Sequence, residues 1–308
     1  MMKTCSKLFL MMIVVIGLMG ENVQATAATV ATPKTKAASP DIQVIVNNST
    51  VYVGVTAYVE QGTTMIPIKA LQYIPGNSTI WNNITQTVTV SQDGSVITLV
   101  IGQKTATIND RTVQLPVAPA IREGRAMVPL RFIAEAAQAK VFWNATSRTV
   151  YVAKTPDTLL RQLSGTDLAT ARAAAVSIPR INRLKTFTPS DNSGTGIYRY
   201  YFPEGQSYPF FEQRGDVVSY YEMQDNHSEL VWTAKMNLNQ QSGNNLFFLP
   251  YAIEQEDGSM PSIITNVAFY DTLTANGVVR YGYIENPIQS SGRAEPPFPN
   301  IPGEQQVK

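Results

Sequence analysis

Residues 124–152, GRAMVPLRFIAEAAQAKVFWNATSRTVYV, carry the strongest local signals in the chain. Leu130, Ile133, Ala134 and Ala137 recur at i, i+3, i+4 and i+7, which predicts one short amphipathic helix. Pro129 stands at its start, where a helix tolerates a missing N–H. Val141-Phe142-Trp143 is β-prone, 144–147 is turn-like, and Val150 and Val152 alternate along a second strand. The unit reads as helix, strand, turn, strand.

Moved back by 62 positions without a gap, this stretch meets an earlier version of itself. Gly62, Met65, Pro67, Trp81, Asn82, Thr87, Val88 and Val90 stand under Gly124, Met127, Pro129, Trp143, Asn144, Thr149, Val150 and Val152. Upstream, Asn47, Thr50, Val51 and Val55 stand under Asn109, Thr112, Val113 and Val117. Ile68 with Leu130, Lys69 with Arg131 and Ile80 with Phe142 keep apolar or charged character at matched places. The expectation is a tandem duplication whose structural core is Met65, Pro67, Trp81, Met127, Pro129, Ile133 and Trp143. For the two tryptophans, core packing is expected over ligand stacking, since each lies in an apolar strand beside a helix.

The same string resembles the tandem domain named after the copper amine oxidase N-terminal, or stalk, domain of secreted Gram-positive proteins, over roughly residues 42–154. Two departures stand out: Gln138 where a helix-ending glycine is usual, and Asn144 where an aspartate usually follows the tryptophan. Neither alters the expected fold: Gln138 costs only a C-cap preference, and Asn144 keeps turn chemistry. The resemblance implies an accessory module with no catalytic residue.

Working outward, Lys3 and Lys7 precede the apolar run 8–19, and small residues near Ala25 complete a signal peptide expected over 1–25. The run is short for a membrane span, which needs about 20 apolar residues. Cys5, the single cysteine, leaves with that leader, so no disulfide is expected. Residues 26–41 read as a flexible spacer rich in Ala, Thr, Lys and Pro. Within the stalk, Asn47-Asn48 and Asn109-Asp110 mark two hairpins, and 96–101 is a strand tying the copies together. The repeats are expected to form one cooperative unit.

Beyond the stalk, 155–285 is expected to be an α+β domain. Two helices come first, with Asp167 capping the second, and seven strands follow as an antiparallel meander. The strands are placed at 197–202, 208–213, 216–223, 229–238, 246–254, 262–271 and 278–284. Residues 286–308, with Pro296-Pro297, read as a disordered tail. The fold class is thus α+β: tandem stalk repeats, a helical segment and a β-meander domain.

With 24 basic and 23 acidic residues the chain has a net charge of +1 and no basic run, which argues against a nucleic-acid partner. The single histidine, His227, cannot supply a copper ligand set, so no cofactor, no metal and no amine oxidation are expected. It is placed in a solvated hairpin loop. Asp216, Glu222, Glu229, Glu254 and Glu256 lie on expected strands or their ends, and two facing carboxylates are what glycoside hydrolysis requires. The expected function is a secreted, non-catalytic, cell-envelope protein whose stalk presents a C-terminal domain to an extracellular polymer or protein. The alternatives are a carboxylate-dependent wall or polysaccharide hydrolase and a purely structural spacer. No transmembrane anchor is expected in the mature chain.

Overall fold

The structure, a computed structural model, describes residues 41–284 except 53, 93, 191–196, 244–245, 264–265 and 274–277. The expected signal peptide, all of the spacer but Asp41, and the proline-rich tail lie outside the described residues. The chain is mostly β. Strands β1 (Gln43–Val46) and β2 (Ser49–Thr50) form a hairpin, as do β3 (Tyr58–Glu60) and β4 (Thr63–Pro67). A 3-10 helix, Ile68–Tyr73, leads to a third hairpin of β5 (Asn77–Asn82) and β6 (Thr87–Gln92), and β7 (Ser95–Val100) follows. Then come β8 (Thr105–Ile108), β9 (Arg111–Gln114), β10 (Ala120–Arg122), β11 (Arg125–Pro129), helix α1 (Leu130–Ala136), β12 (Lys140–Asn144) and β13 (Thr149–Ala153).

Leaving β7 aside, each element from β8 to β13 begins within one residue of a position 62 beyond its earlier counterpart. The turns agree as well. Asn47 and Asn48 have φ of 45° and 68°, and Asn109 and Asp110 have 46° and 67°. Two successive positive φ values are what a two-residue hairpin turn requires, and Asn and Asp tolerate them. Helix α1 ends on Gln138 at φ 55°, with Gln138 N–H bonded to Glu135 O and Ala139 N–H to Ala134 O. That is the terminus a glycine usually makes, and Gly76 makes it at the matching place in the first half, at φ 82°.

The hairpins are exchanged between the two halves. β1 leaves its own half and pairs in parallel with β13, giving a sheet of order β12-β13-β1-β2. β8 and β9 extend the other sheet, in order β5-β6-β7-β8-β9, with β7 as the bridge. A third sheet, β10-β11-β4-β3, joins the two halves of the stalk. There Val128 faces Ile66, while Met127 faces Pro67 and Pro129 faces Met65. One core fills the space between, including Leu71, Val88, Val128, Ile133 and Val150. Neighbouring strand residues point to opposite faces, so Met65 and Met127 pack behind β4 and β11 with Val117, in a small second cluster.

The C-terminal part opens with α2 (Asp157–Leu163) and α3 (Leu168–Ser177). Asp167 caps α3, its carboxylate accepting the Thr170 N–H at 3.2 Å. β14 (Arg180–Ile181), β15 (Ile197–Pro203), β16 (Phe210–Arg214), β17 (Val217–Gln224), β18 (His227–Gln241), β19 (Tyr251–Gly258), β20 (Val267–Leu273) and β21 (Val278–Ile284) form one sheet. From β15 to β19 it is the expected meander. β20 departs from it, crossing back to pair with β15 rather than β19. Side chains across that edge explain the choice: Arg199 faces Asp271 in an ion pair and Tyr201 faces Phe269, which fixes the register. Residues 246–249, expected as strand, turn beneath the sheet instead. There Leu246, Phe248 and Leu249 pack on Tyr201, Phe211 and Trp232. Ala175 of α3 covers the opposite face, with Phe202, Phe210 and Tyr221.

The two parts meet on the outer face of the β12-β13-β1 sheet. Ile181 of β14 packs on Tyr151 and Ala153, flanked by Ile45 and Phe142. The Asn48 amide donates to Ile178 O at 3.0 Å and its oxygen accepts the Arg180 N–H at 2.7 Å. In the first half the places of Phe142, Tyr151 and Ala153 are held by Ile80, 63% exposed, Thr89 and Ser91, on a face turned to water. Asn144 follows the same logic. Its oxygen caps the turn at Thr146 and Ser147, while its amide donates to Asn182 O and Leu184 O at 2.9 and 3.2 Å, which an aspartate cannot do. Among the described residues no helix is long and apolar enough to cross a membrane.

Candidate functional site

Each tryptophan ends a strand just before a tight turn. Asn82 Oδ1 accepts the N–H groups of Ile84 and Thr85, and Asn144 Oδ1 those of Thr146 and Ser147, so the chain reverses immediately after Trp81 and Trp143. Both rings sit on the inner side of their sheets, opposite Val88 and Val150. They lie at its margin, however, past the cover of the helix. Trp81 is half-buried and Trp143 is 41% exposed. The expected core place of Trp143 is therefore corrected, because burial depends on what covers a strand end and nothing among the described residues covers this one fully. Met65, Pro67, Met127, Pro129 and Ile133 are buried.

Each ring lines a cleft built by both halves. One, of about 430 Å³, lies between Trp81 and Lys69 on one side and Ile121, Gly124 and Arg125 on the other. Its counterpart, about 290 Å³, lies between Trp143, Arg131 and Phe132 and the Gly62-Thr63-Thr64 turn. Gly62 with Gly124, Lys69 with Arg131 and Trp81 with Trp143 stand 62 residues apart, so the two clefts have corresponding linings. A partly exposed indole with flanking polar side chains offers a surface on which a flat apolar face can stack while its polar groups are bonded. The sequence reading missed Lys69, Arg125 and Glu135 as cleft residues. The differences between the two aligned halves were the available signal, Thr63 against Arg125 above all.

A wider recess of about 500 Å³ lies by the first hairpin, over Ile42, Val51, Ile66 and Ala70. Phe132 is the counterpart of Ala70 in the second half, so one half carries a ring where the other carries a methyl.

The C-terminal candidates are mostly dispersed. Asp216, buried, accepts N–H and O–H bonds from Ser190 at 2.9 and 2.6 Å and lies 3.7 Å from Lys235. Burial pushes its pKa up, but Ser190 and Lys235 outweigh that and hold it below the usual carboxylate range. Glu256 accepts the Trp232 indole N–H at 2.9 Å, and Glu254 is exposed. Glu222 and Glu229 are brought directly opposite one another on β17 and β18, with Arg183 3.4 Å from Glu229.

His227 is not a solvated loop residue. It is 3% exposed, tilted against Phe142 at 4.9 Å, and neither ring nitrogen has a hydrogen-bond partner among the described residues. Burial pushes its pKa below the ordinary 6.5; Lys140 and Arg183 act in the same direction and Asp225 against it. The unfolded chain therefore takes the proton first. The stability held by neutral His227 is complete above about pH 6.5 and lost as pH falls through the lower folded value. Urea melts at pH 7.5 and pH 5 are expected to show a loss on acidification that His227→Phe reduces; an equal loss in both proteins would refute this role. Among the described residues no three His, Cys, Asp or Glu side chains converge to hold a metal, so a copper centre does not fit them.

Comparison with known proteins places the stalk. Residues 45–152 match the family described as copper amine oxidase N-terminal domain. The chain is also similar to a primary amine oxidase of Klebsiella aerogenes, 30% identical over 125 residues, which is 40% of this chain and 16% of that protein.

Proposed function

With residues 45–152 a copper amine oxidase N-terminal domain, we propose that the chain is a secreted, non-catalytic cell-envelope protein whose stalk grips an extracellular polymer. The amine oxidase it matches is spanned over a small fraction of its length, and no activity is carried over from it. The stalk is a tandem duplication in this proposal. The residue identities at an offset of 62, the matching element starts and the matching positive φ values support it.

The observation that carries the polymer assignment is the pair of tryptophan clefts. Two tryptophan sites at corresponding places on one module suit a ligand that repeats, since binding at one raises the effective concentration at the other. The aromatic sheet of the C-terminal domain fits a ligand platform less well, because α3 and the 246–249 turn cover its two faces. Binding of purified wall polysaccharide, measured by sedimentation and calorimetry, tests the proposal. Trp81→Ala and Trp143→Ala are each expected to weaken it about tenfold or more. Trp143→Ala should cost well under the roughly 3 to 5 kcal/mol of a fully buried tryptophan. Unchanged binding in both variants would overturn the assignment.

The second reading, a carboxylate-dependent hydrolase, is supported by one observation, the cross-strand placement of Glu222 and Glu229. Turnover of the same polymer, abolished by Glu222→Gln, would establish it in place of the first.

A further inference from the structure

The two tryptophan clefts differ in charge. Around Trp81 stand Lys69 and Arg125, both exposed, and among the described residues no carboxylate lines that cleft. Among the described residues neither cation has an ion-pair partner; the adjacent acid, Glu123, lies 3.8 Å from Arg122. Around Trp143, Thr63 replaces Arg125, and Arg131 faces Glu135 at 4.0 Å along α1. One cleft therefore presents two uncompensated positive charges beside an indole, and its counterpart presents a balanced pair.

We propose that the Trp81 cleft is an anion-reading subsite. It takes one carboxylate- or phosphate-bearing unit of a polyhydroxylated polymer, with the unit's apolar face on the indole and its anionic group between Lys69 and Arg125. The inference rests on the stalk being the polymer-binding part. Charge complementarity argues for the occupant: two cations with no ion-pair partner among the described residues flank the indole and favour an anion there. Lys69 is contributed by one half of the stalk and Arg125 by the other, so the subsite exists only where the halves are joined. The Trp143 cleft, with Thr63 and a neutralised arginine, accepts an uncharged unit of the same chain.

The test is calorimetric titration of the full-length protein with three oligomers of equal length: an oligogalacturonate, a glycerol phosphate oligomer and a neutral cello-oligosaccharide. At low salt at least one acidic oligomer is expected to bind roughly threefold to tenfold tighter than the neutral one, with the advantage shrinking as salt is added. Which acidic oligomer wins distinguishes carboxylate from phosphate. Lys69→Ala with Arg125→Ala should bring that ratio close to one, and Thr63→Arg with Glu135→Ala should raise it. Lys69, Arg125 and Glu135 are exposed, so unchanged melting is expected of the double alanine variant; Thr63 is half-buried, and melting of every variant is checked in parallel. A ratio near one in the parent, or a ratio unmoved by the double alanine variant, overturns the proposal while leaving polymer binding intact. Failure of all three oligomers and of wall polysaccharide to bind removes the polymer assignment itself, and this inference with it.

Discussion

Leu71→Ala and Ile133→Ala are each expected to destabilise the protein by about 2 to 5 kcal/mol, and to lower the same melting transition. Both side chains are completely buried, and they occupy equivalent places under the two helices. Loss of either leaves a cavity that the packed surroundings close only in part. The shared transition follows from the exchanged hairpins. β1, from the first half, completes the sheet of β12 and β13, and β8, from the second, extends that of β5 and β6 through β7. A half that unfolds takes with it a strand of the other's sheet and exposes an unpaired edge. Differential scanning calorimetry of the full chain decides the matter. If the two substitutions shift separate transitions, the halves are independent and the shared core is refuted.

Glu212→Ala is expected to cost about 3 to 5 kcal/mol. The Arg180 guanidinium is ion-paired with Glu212 and lies over the rings of Tyr221, Phe210 and Tyr200, at 5.0, 5.6 and 6.0 Å. Burial opposes its charge, but Glu212 together with Tyr221 and Tyr200 outweighs this, and the arginine is held above its usual range. The two side chains are only 20% and 13% exposed, so removing the carboxylate strands a cation among aromatic rings. Urea denaturation followed by tryptophan fluorescence gives the loss. Arg180→Met combined with Glu212→Leu should recover most of it, because the penalty belongs to the unpaired charge rather than to the missing contact. A double variant as unstable as Glu212→Ala would mean that Glu212 acts in some other way.

Much of the stalk was legible because its signals are local. Asn47-Asn48 and Asn109-Asp110 dictate turns by their tolerance of positive φ, and Pro67 and Pro129 mark helix starts. Alternation then assigns Val88, Val90, Val150 and Val152 to the inner face. The clefts were legible only as differences. Thr63 against Arg125 and Ala70 against Phe132 show where the two halves differ, but not that these positions line a recess. In the C-terminal domain the strands were readable one by one, while the phenylalanines at 247 and 248 mimic a strand and instead fill the underside of the sheet.

The sequence alone determined the offset of 62 between the halves, the hairpin turns at 47–48 and 109–110, the helix, strand, turn, strand unit after Pro129, and the buried places of Met65, Met127 and Ile133. These follow from periodicity, turn chemistry and counting, which act over a few residues or need no geometry. Tertiary structure decided which edges join: β1 beside β13, and β20 beside β15. Backbone N–H and C=O groups are alike in every residue, so a strand's sequence names its inner face without naming its neighbour. It also decided that Trp143 reaches water while His227 does not. Both lie at strand ends, where burial is set by whatever distant segment covers the site: Phe142 seals His227, and no described segment fully seals Trp143.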